Sequence, residues 1–182
     1  CTPEDWFGGS GLLVDGPDHV IKNNIIAGVR LEISHYSTQP DAIWVESTCD
    51  RCVIQNNKIG VDTQNKKVGV CGIGIDITNG EQIQVLNNTF AETYNSAIFL
   101  NGALFDANTL RGNIVYRSTP WLLPEGSPKA DDAILRFSGL PDPFEFFNPA
   151  KVTSIDGTTV AGTAGTSNPC PRCTIELFLD DG

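Results

Sequence analysis

Short runs of alternating hydrophobic and polar residues fill the first two thirds of this chain, and one run recurs four times. Each copy centres on an asparagine, with an aliphatic residue three positions before it and a large apolar residue two positions after it. These anchor asparagines are Asn24, Asn57, Asn88 and Asn113. Their spacings of 33, 31 and 25 residues vary while the centre of each copy does not, which indicates a repeat protein.

A second apolar strip precedes each anchor and alternates with a period of two. One face of the strips is made by Leu12, Val14, Ile43, Val45, Ile75, Ile77, Ile98 and Leu100. The residues that point to the opposite face are Leu13, Trp44, Asp76 and Phe99. This alternation predicts short β-strands with one buried face and one outer face. A small residue stands before each strip, at Gly11, Ala42, Gly74 and Ala97.

No single repeat of two or three short strands can bury its own apolar face. Stacking the repeats one above another would form a continuous core and pair each backbone with the repeats above and below. The anchor asparagines would then form a column in which the side chains hydrogen-bond to each other. Asparagine also tolerates the left-handed backbone that a sharp corner requires, so we expect the anchors to take both roles.

This pattern resembles the right-handed parallel β-helix, and in particular the pectate-lyase-like superfamily of secreted bacterial repeat proteins. The resemblance covers residues 11–118, with a fifth partial repeat around residues 133–137. It implies an all-β solenoid that is secreted and located outside the cell or on its surface. The fold hosts many functions, so it implies little about activity.

The chain divides by composition into three segments. Residues 1–118 carry the repeats, and residues 119–150 are rich in proline and aromatic residues, which predicts a packed excursion or an end cap. Residues 151–182 contain the hairpin signal Asp156-Gly157 and resemble the opening of a small β-sandwich module. Such an incomplete sheet predicts either that the rest of the module has been lost or that another chain supplies the missing strands.

The six cysteines predict disulfides. They are Cys1, Cys49, Cys52, Cys71, Cys170 and Cys173. Two pairs have CxxC spacing, and we expect local bridges Cys49–Cys52 and Cys170–Cys173, with Cys1 and Cys71 paired together or between subunits. Zinc binding and redox catalysis are weaker alternatives, because 117 residues separate the two pairs and no helix pattern follows either.

Charge and hydropathy exclude two classes of partner. The net charge of −10 provides no basic surface to neutralise phosphates, so we expect no nucleic acid partner. No apolar run approaches the roughly 18 residues that span a bilayer. The chain contains no methionine and begins at Cys1, which predicts processing, excision from a longer chain or a lipidated anchor.

Candidate chemistry is restricted to three carboxylates on the outer face of the strips. Asp15, Glu46 and Asp76 are the predicted cluster, with Lys22 and Arg51 as the nearest bases in sequence. The cluster would suit a Ca²⁺-assisted polysaccharide lyase or a carboxylate-pair glycosidase. The alternative, which we favour, is that these residues are solvated positions of an acidic solenoid and that the chain has no catalytic residue and no cofactor. His19 and His35 lack metal-site spacing.

The functional hypothesis from the sequence is therefore a structural one. We expect a subunit of an extracellular filament, sheath or adhesin stalk, built by head-to-tail association of copies of the chain. The expected assembly residues are Trp6, Phe7, Leu12, Leu13, Trp44, Phe99, Ile175, Leu177 and Leu179. The alternatives are a polysaccharide lyase or glycoside hydrolase fragment, and an adhesin that binds carbohydrate through Trp44.

Overall fold

The computed structural model describes residues 10–29, 40–93, 96–101, 108–118, 135–138 and 150–164. The described residues contain no helix, and the predicted all-β class is confirmed. The strands of these ranges are β1 Leu12–Val14, β2 Val20–Lys22, β3 Ile25–Ile26, β4 Ile43–Val45, β5 Val53–Gln55, β6 Lys58–Ile59, β7 Ile75–Thr78, β8 Gln84–Leu86, β9 Thr89–Thr93, β10 Ile98–Asn101, β11 Thr109–Arg111, β12 Ile114–Ser118, β13 Leu135–Ser138, β14 Ala150–Asp156 and β15 Thr159–Ala164.

Three parallel sheets collect strands from successive repeats. The first sheet has the order β1-β4-β7-β10-β13, the second β2-β5-β8-β11 and the third β3-β6-β9-β12. Each of the first four repeats adds one strand to every sheet, so the first repeat is β1, β2 and β3, and the fourth is β10, β11 and β12. The register aligns Leu12 with Ile43, Ile43 with Ile75 and Ile75 with Ile98. The predicted inner positions therefore share one column.

The core lies between the sheets and contains Val14 together with the predicted inner residues of the second, third and fourth repeats, whereas Leu12 of the first repeat is partly exposed. Ile43, Val45, Ile75 and Ile77 are fully buried, and so is Phe90 on the third sheet. Burial of one aliphatic side chain contributes about 1.5–3 kcal/mol. Because neighbouring repeats supply the partners, this stabilisation depends on stacking.

The anchor asparagines form a hydrogen-bonded ladder. The backbone N and Nδ2 of Asn24 donate to Oδ1 of Asn57 at 2.9 and 3.0 Å. Asn57 donates in the same way to Asn88, at 2.9 Å for both bonds, and Asn88 to Asn113 at 3.0 and 3.1 Å. The Nδ2 groups of Asn57, Asn88 and Asn113 also donate to a carbonyl of the preceding repeat, on Ile21, Ile54 and Val85. The side chains of Asn57 and Asn88 thus hydrogen-bond to buried polar groups of both the preceding and the following repeat.

The left-handed corner belongs to the residue before each anchor, and our assignment of both roles to the anchor is wrong. Asn23, Asn56 and Asn87 have φ of 60°, 56° and 53°, and Gly112 takes this position in the fourth repeat with φ of 65°. Asparagine and glycine are the residues that adopt this region at least cost. In each Asn-Asn pair, the first residue therefore adopts the left-handed backbone of the corner, and the second forms the hydrogen bonds of the ladder.

Close contact between repeats explains the small residues before the strips. A Cβ on Gly74 would overlap the carbonyl oxygen of Ala97 and the ring of Phe90. Gly60 has a φ of +79°, and a Cβ there would overlap the carbonyl oxygen of Ala91. A side chain at either position would push neighbouring repeats apart.

The chain separates into two compact units, residues 1–139 and 140–182. In the first unit, β13 pairs with β10, so Leu135 aligns with Ile98. In the second unit, β14 and β15 form an antiparallel hairpin in which Asp156 pairs with Thr159, and Gly157 has φ of 57°. The predicted strand after Thr174 and most of the segment 119–150 lie outside the described residues.

The Cys49–Cys52 disulfide forms as predicted, and both residues are fully buried. Cys71 is also disulfide-bonded. Cys1, Cys170 and Cys173 lie outside the described residues.

The paired change Cys49→Ser with Cys52→Ser is expected to lower the free energy of unfolding by about 2 kcal/mol, because the short loop loses its covalent constraint. Denaturant titration without reductant measures this, with Lys66→Ala, an exposed side chain in the loop after β6, as the control. A loss no larger than that of the control would contradict the prediction.

Candidate functional site

The outer face of the first sheet holds most of the predicted site residues. Register places Leu13 beside Trp44, Trp44 beside Asp76, and Asp76 beside Phe99. Arg136 follows Phe99 at the register position on β13. Glu46 lies directly after Val45, which is level with Val14 and Ile77. The structure therefore brings carboxylates and apolar side chains onto one face.

Asp15 has a local structural role. Its Oδ1 accepts a hydrogen bond from Oγ1 of Thr48, which also accepts from the backbone N of Gly16 at 2.9 Å. The ring Nε2 of His19 lies 2.8 Å from the backbone oxygen of Asp15. These contacts tie the exposed turn after β1 to the next repeat.

Asp76 is a buried carboxylate with an unpartnered oxygen. It is 9% exposed, and among the described residues no donor reaches its Oδ1. Burial raises the pKa of Asp76 to about 6, and the charge of Glu46 contributes to the rise. Since burial penalises the charged form and Glu46 repels it, Asp76 keeps its proton into mildly acidic conditions.

Asp41 is a second buried carboxylate, and the sequence analysis missed it. It is 5% exposed, and its Oδ1 also has no partner within the described residues. Burial raises the pKa of Asp41 to about 8, with a further contribution from the charge of Asp76. Aligning the repeats on their small residues would have revealed it, because Asp41 occupies the position of Ile73, which is buried.

The charges of Asp41, Asp76 and Glu46 act on one another in sequence, and we call these three residues the carboxylate row. Asp76 raises the pKa of Asp41, and Glu46 raises that of Asp76. At neutral pH the raised values leave Asp41 protonated and Asp76 mostly ionised. Such a row can donate a proton from one member and accept one at another.

The structure does not bring the two predicted bases to this row. Lys22 lies on β2, in the second sheet. The Nε and NH2 groups of Arg51 donate to the carboxylate of Asp18, both at 2.8 Å, and this bond lowers the pKa of Asp18. Across the described ranges, no group of three His, Cys, Asp or Glu side chains is arranged to hold a metal ion.

The aromatic part of this face is anchored. Nε1 of Trp44 donates to Oγ1 of Thr78 on the next repeat at 3.4 Å, and Trp44 is half-buried. Leu13 is 56% exposed. Of the other expected assembly residues, Trp6, Phe7, Ile175, Leu177 and Leu179 lie outside the described residues.

A second candidate surface is formed by the edges of β1, β2 and β3 that have no neighbour among the described strands, and we call it the first-repeat edge. In the part of the chain that the structure describes, each of these strands pairs with one neighbour, and Leu12, Val20 and Ile25 are exposed on them. Leu12 is 37% exposed, whereas Ile43 in the same column of the next repeat is 0% exposed. Asn24 is exposed, whereas Asn57 and Asn88 are buried.

Comparison with protein-family models, with curated proteins and with solved structures finds no match for this chain. The resemblance to pectate-lyase-like proteins therefore depends on the repeat pattern alone. Within the residues that the structure describes, no helix is both long and apolar enough to cross a membrane.

Proposed function

We propose that this chain is a right-handed parallel β-helix that serves as a structural subunit of an extracellular surface assembly. The observation that supports this most is the asparagine ladder, which runs without interruption through four repeats and ends at an exposed asparagine. A solenoid of this kind is stabilised only by contacts between neighbouring repeats, so an exposed end repeat can bind a further one.

The two ends of the stack differ, which favours an open assembly. Among the described strands, all three sheets end together at β1, β2 and β3, whereas β13 extends the first sheet one strand beyond β11 and β12. Contact between two different ends is heterologous and produces filaments when the rotation does not close. The predicted disulfides and the secreted setting implied by the resemblance agree with a protein that works outside the cell.

We expect the purified chain to form larger species as its concentration rises. Sedimentation velocity would show growing oligomers, and electron microscopy would show filaments. Val20→Pro removes an edge N–H without breaking a bond between described residues, and it should shorten the filaments. A protein that stays monomeric at high concentration would contradict the proposed function.

One observation favours a second candidate function, glycoside hydrolysis. The carboxylate row offers Asp41 as a proton donor and Asp76 or Glu46 as a base, beside the ring of Trp44, which could stack on a sugar. Asp41→Asn and Asp76→Asn should each abolish the release of reducing ends from an acidic polysaccharide, while Asp62→Asn, in a turn after β6, should not. Equal activity in all three variants would contradict this candidate.

A further inference from the structure

The ladder has a direction, and its first repeat presents one end of it. In each of the three contacts between repeats, the earlier asparagine donates and the Oδ1 of the later one accepts. Oδ1 of Asn24 is the acceptor that would receive the next bond in this series, and among the described residues no donor reaches it. The edge is therefore specific for a partner that supplies donors at this corner.

The backbone beside Asn24 repeats the same pattern. The N–H groups of Val53, Gln84 and Thr109 donate to the preceding repeat at 2.8–2.9 Å, and so do those of Lys58, Thr89 and Ile114. In the first repeat these positions are Val20 and Ile25, whose N–H groups have no acceptor in the described ranges. Both side chains are exposed. The first-repeat edge thus offers two strand donors and one side-chain acceptor with a fixed spacing.

We propose that the first-repeat edge binds a further asparagine-centred repeat, stacked parallel and in register, as the fifth rung of the ladder. The partner asparagine would donate its backbone N–H and Nδ2 to Oδ1 of Asn24. Nδ2 of Asn24 would donate to the carbonyl three residues before the partner asparagine, as Asn57 does to Ile21. This inference rests on the proposed function and names the chemistry of the partner at one end.

The three contacts between repeats within the chain favour a parallel asparagine-centred repeat over other kinds of strand as the partner. An antiparallel strand would not place an asparagine amide over Asn24, and a strand without asparagine would leave Oδ1 of Asn24 without its side-chain donor. A like repeat also covers Leu12, whose column is fully buried one repeat further along, at Ile43. The same contact occurs three times within the chain, so no new geometry is required.

A disulfide-tethering experiment tests the register. The chain with Val20→Cys is mixed in a thiol redox buffer with a peptide of residues 82–93 that carries Gln84→Cys. Val20, Val53 and Gln84 share one column, and parallel neighbours lie about 4.8 Å apart, which suits a disulfide. Mass spectrometry then quantifies the conjugate formed at the introduced thiol.

The matched peptide should be captured about threefold more than the same peptide with Asn88→Ala, because the Nδ2 bond to Asn24, worth roughly 0.7 kcal/mol, is lost while the backbone N–H of residue 88 remains. It should also be captured more than a peptide with Leu86→Cys, which displaces the thiol by two residues. The chain with Asn24→Ala should lose the preference, and bound peptide should slow amide hydrogen exchange at Val20 and Ile25.

Equal capture of all three peptides would overturn the inference, and so would slow exchange of the Val20 and Ile25 amides in the free monomer. If filaments form but the peptides show no such preference, the inference is contradicted, and the chain would assemble through another contact surface. Register-specific capture by a chain that never forms filaments would support the inference and contradict the assembly role.

Discussion

Replacing Asn88 with alanine is expected to lower the free energy of unfolding by about 3–5 kcal/mol. The Asn88 side chain is 0% exposed and takes part in four hydrogen bonds. Without it, the backbone N–H of Asn57 loses its acceptor, Nδ2 of Asn57 loses one of its two acceptors, and the carbonyl of Ile54 loses the donor on Asn88. Each buried polar group left in this way costs about 1–3 kcal/mol, and a small cavity adds to the loss.

The matched control is the same substitution at the end of the ladder. Asn24 is exposed, and its side chain donates only to Oδ1 of Asn57, which keeps its bond from the backbone N of Asn24. Asn24→Ala should therefore cost about 0.5–1.5 kcal/mol. Urea titration followed by circular dichroism measures both variants. Equal losses would show that the ladder does not stabilise the stack.

The repeat pattern was sufficient to predict the stacked strands and the asparagine column, for a physical reason. Inner positions recur with a period of two, so Leu12, Ile43, Ile75 and Ile98 reveal their common face in any one repeat. The two roles of the Asn-Asn pair could not be separated in this way, because both asparagines recur together. Gly112 was the only indication, since glycine at the first position marks a backbone requirement and leaves the second position for the side chain.

The candidate site was predicted less completely than the fold. Glu46 and Asp76 follow from the alternation, since both lie on strips or directly after them. Asp41 precedes its strip, where the chain enters from a connection of variable length, and alternation does not apply there. Its burial is indicated only when the repeats are aligned on their small residues, where Asp41 takes the position of the buried Ile73.

Asp41→Asn is expected to change the pH dependence of stability. An unfolded chain holds Asp41 near its ordinary pKa of 3.8, and the folded chain raises the pKa to about 8. The folded state therefore binds a proton that the unfolded state has already lost between these values. The contribution of Asp41 to stability should be fully present below pH 4 and should be lost as pH rises towards 8. Asp76, raised to about 6, adds to this loss over the lower part of the range.

Asparagine has the shape of a protonated aspartate and does not ionise. The variant should therefore not show the fall in unfolding free energy that Asp41 causes as pH rises. Each pKa unit corresponds to about 1.4 kcal/mol, so the variant should exceed the wild type by about 3–6 kcal/mol at pH 8. Near pH 4 the two proteins should differ little. Thermal and urea unfolding at a series of pH values measures the difference, with Glu81→Gln, which removes an acidic group from a bend of the same unit, as the control. If the unfolding free energies of Asp41→Asn and the wild type changed equally with pH between pH 5 and 8, Asp41 would ionise in the folded chain as easily as in the unfolded chain. The carboxylate row would then lose its proton donor at neutral pH, and with it the physical basis of the hydrolytic candidate.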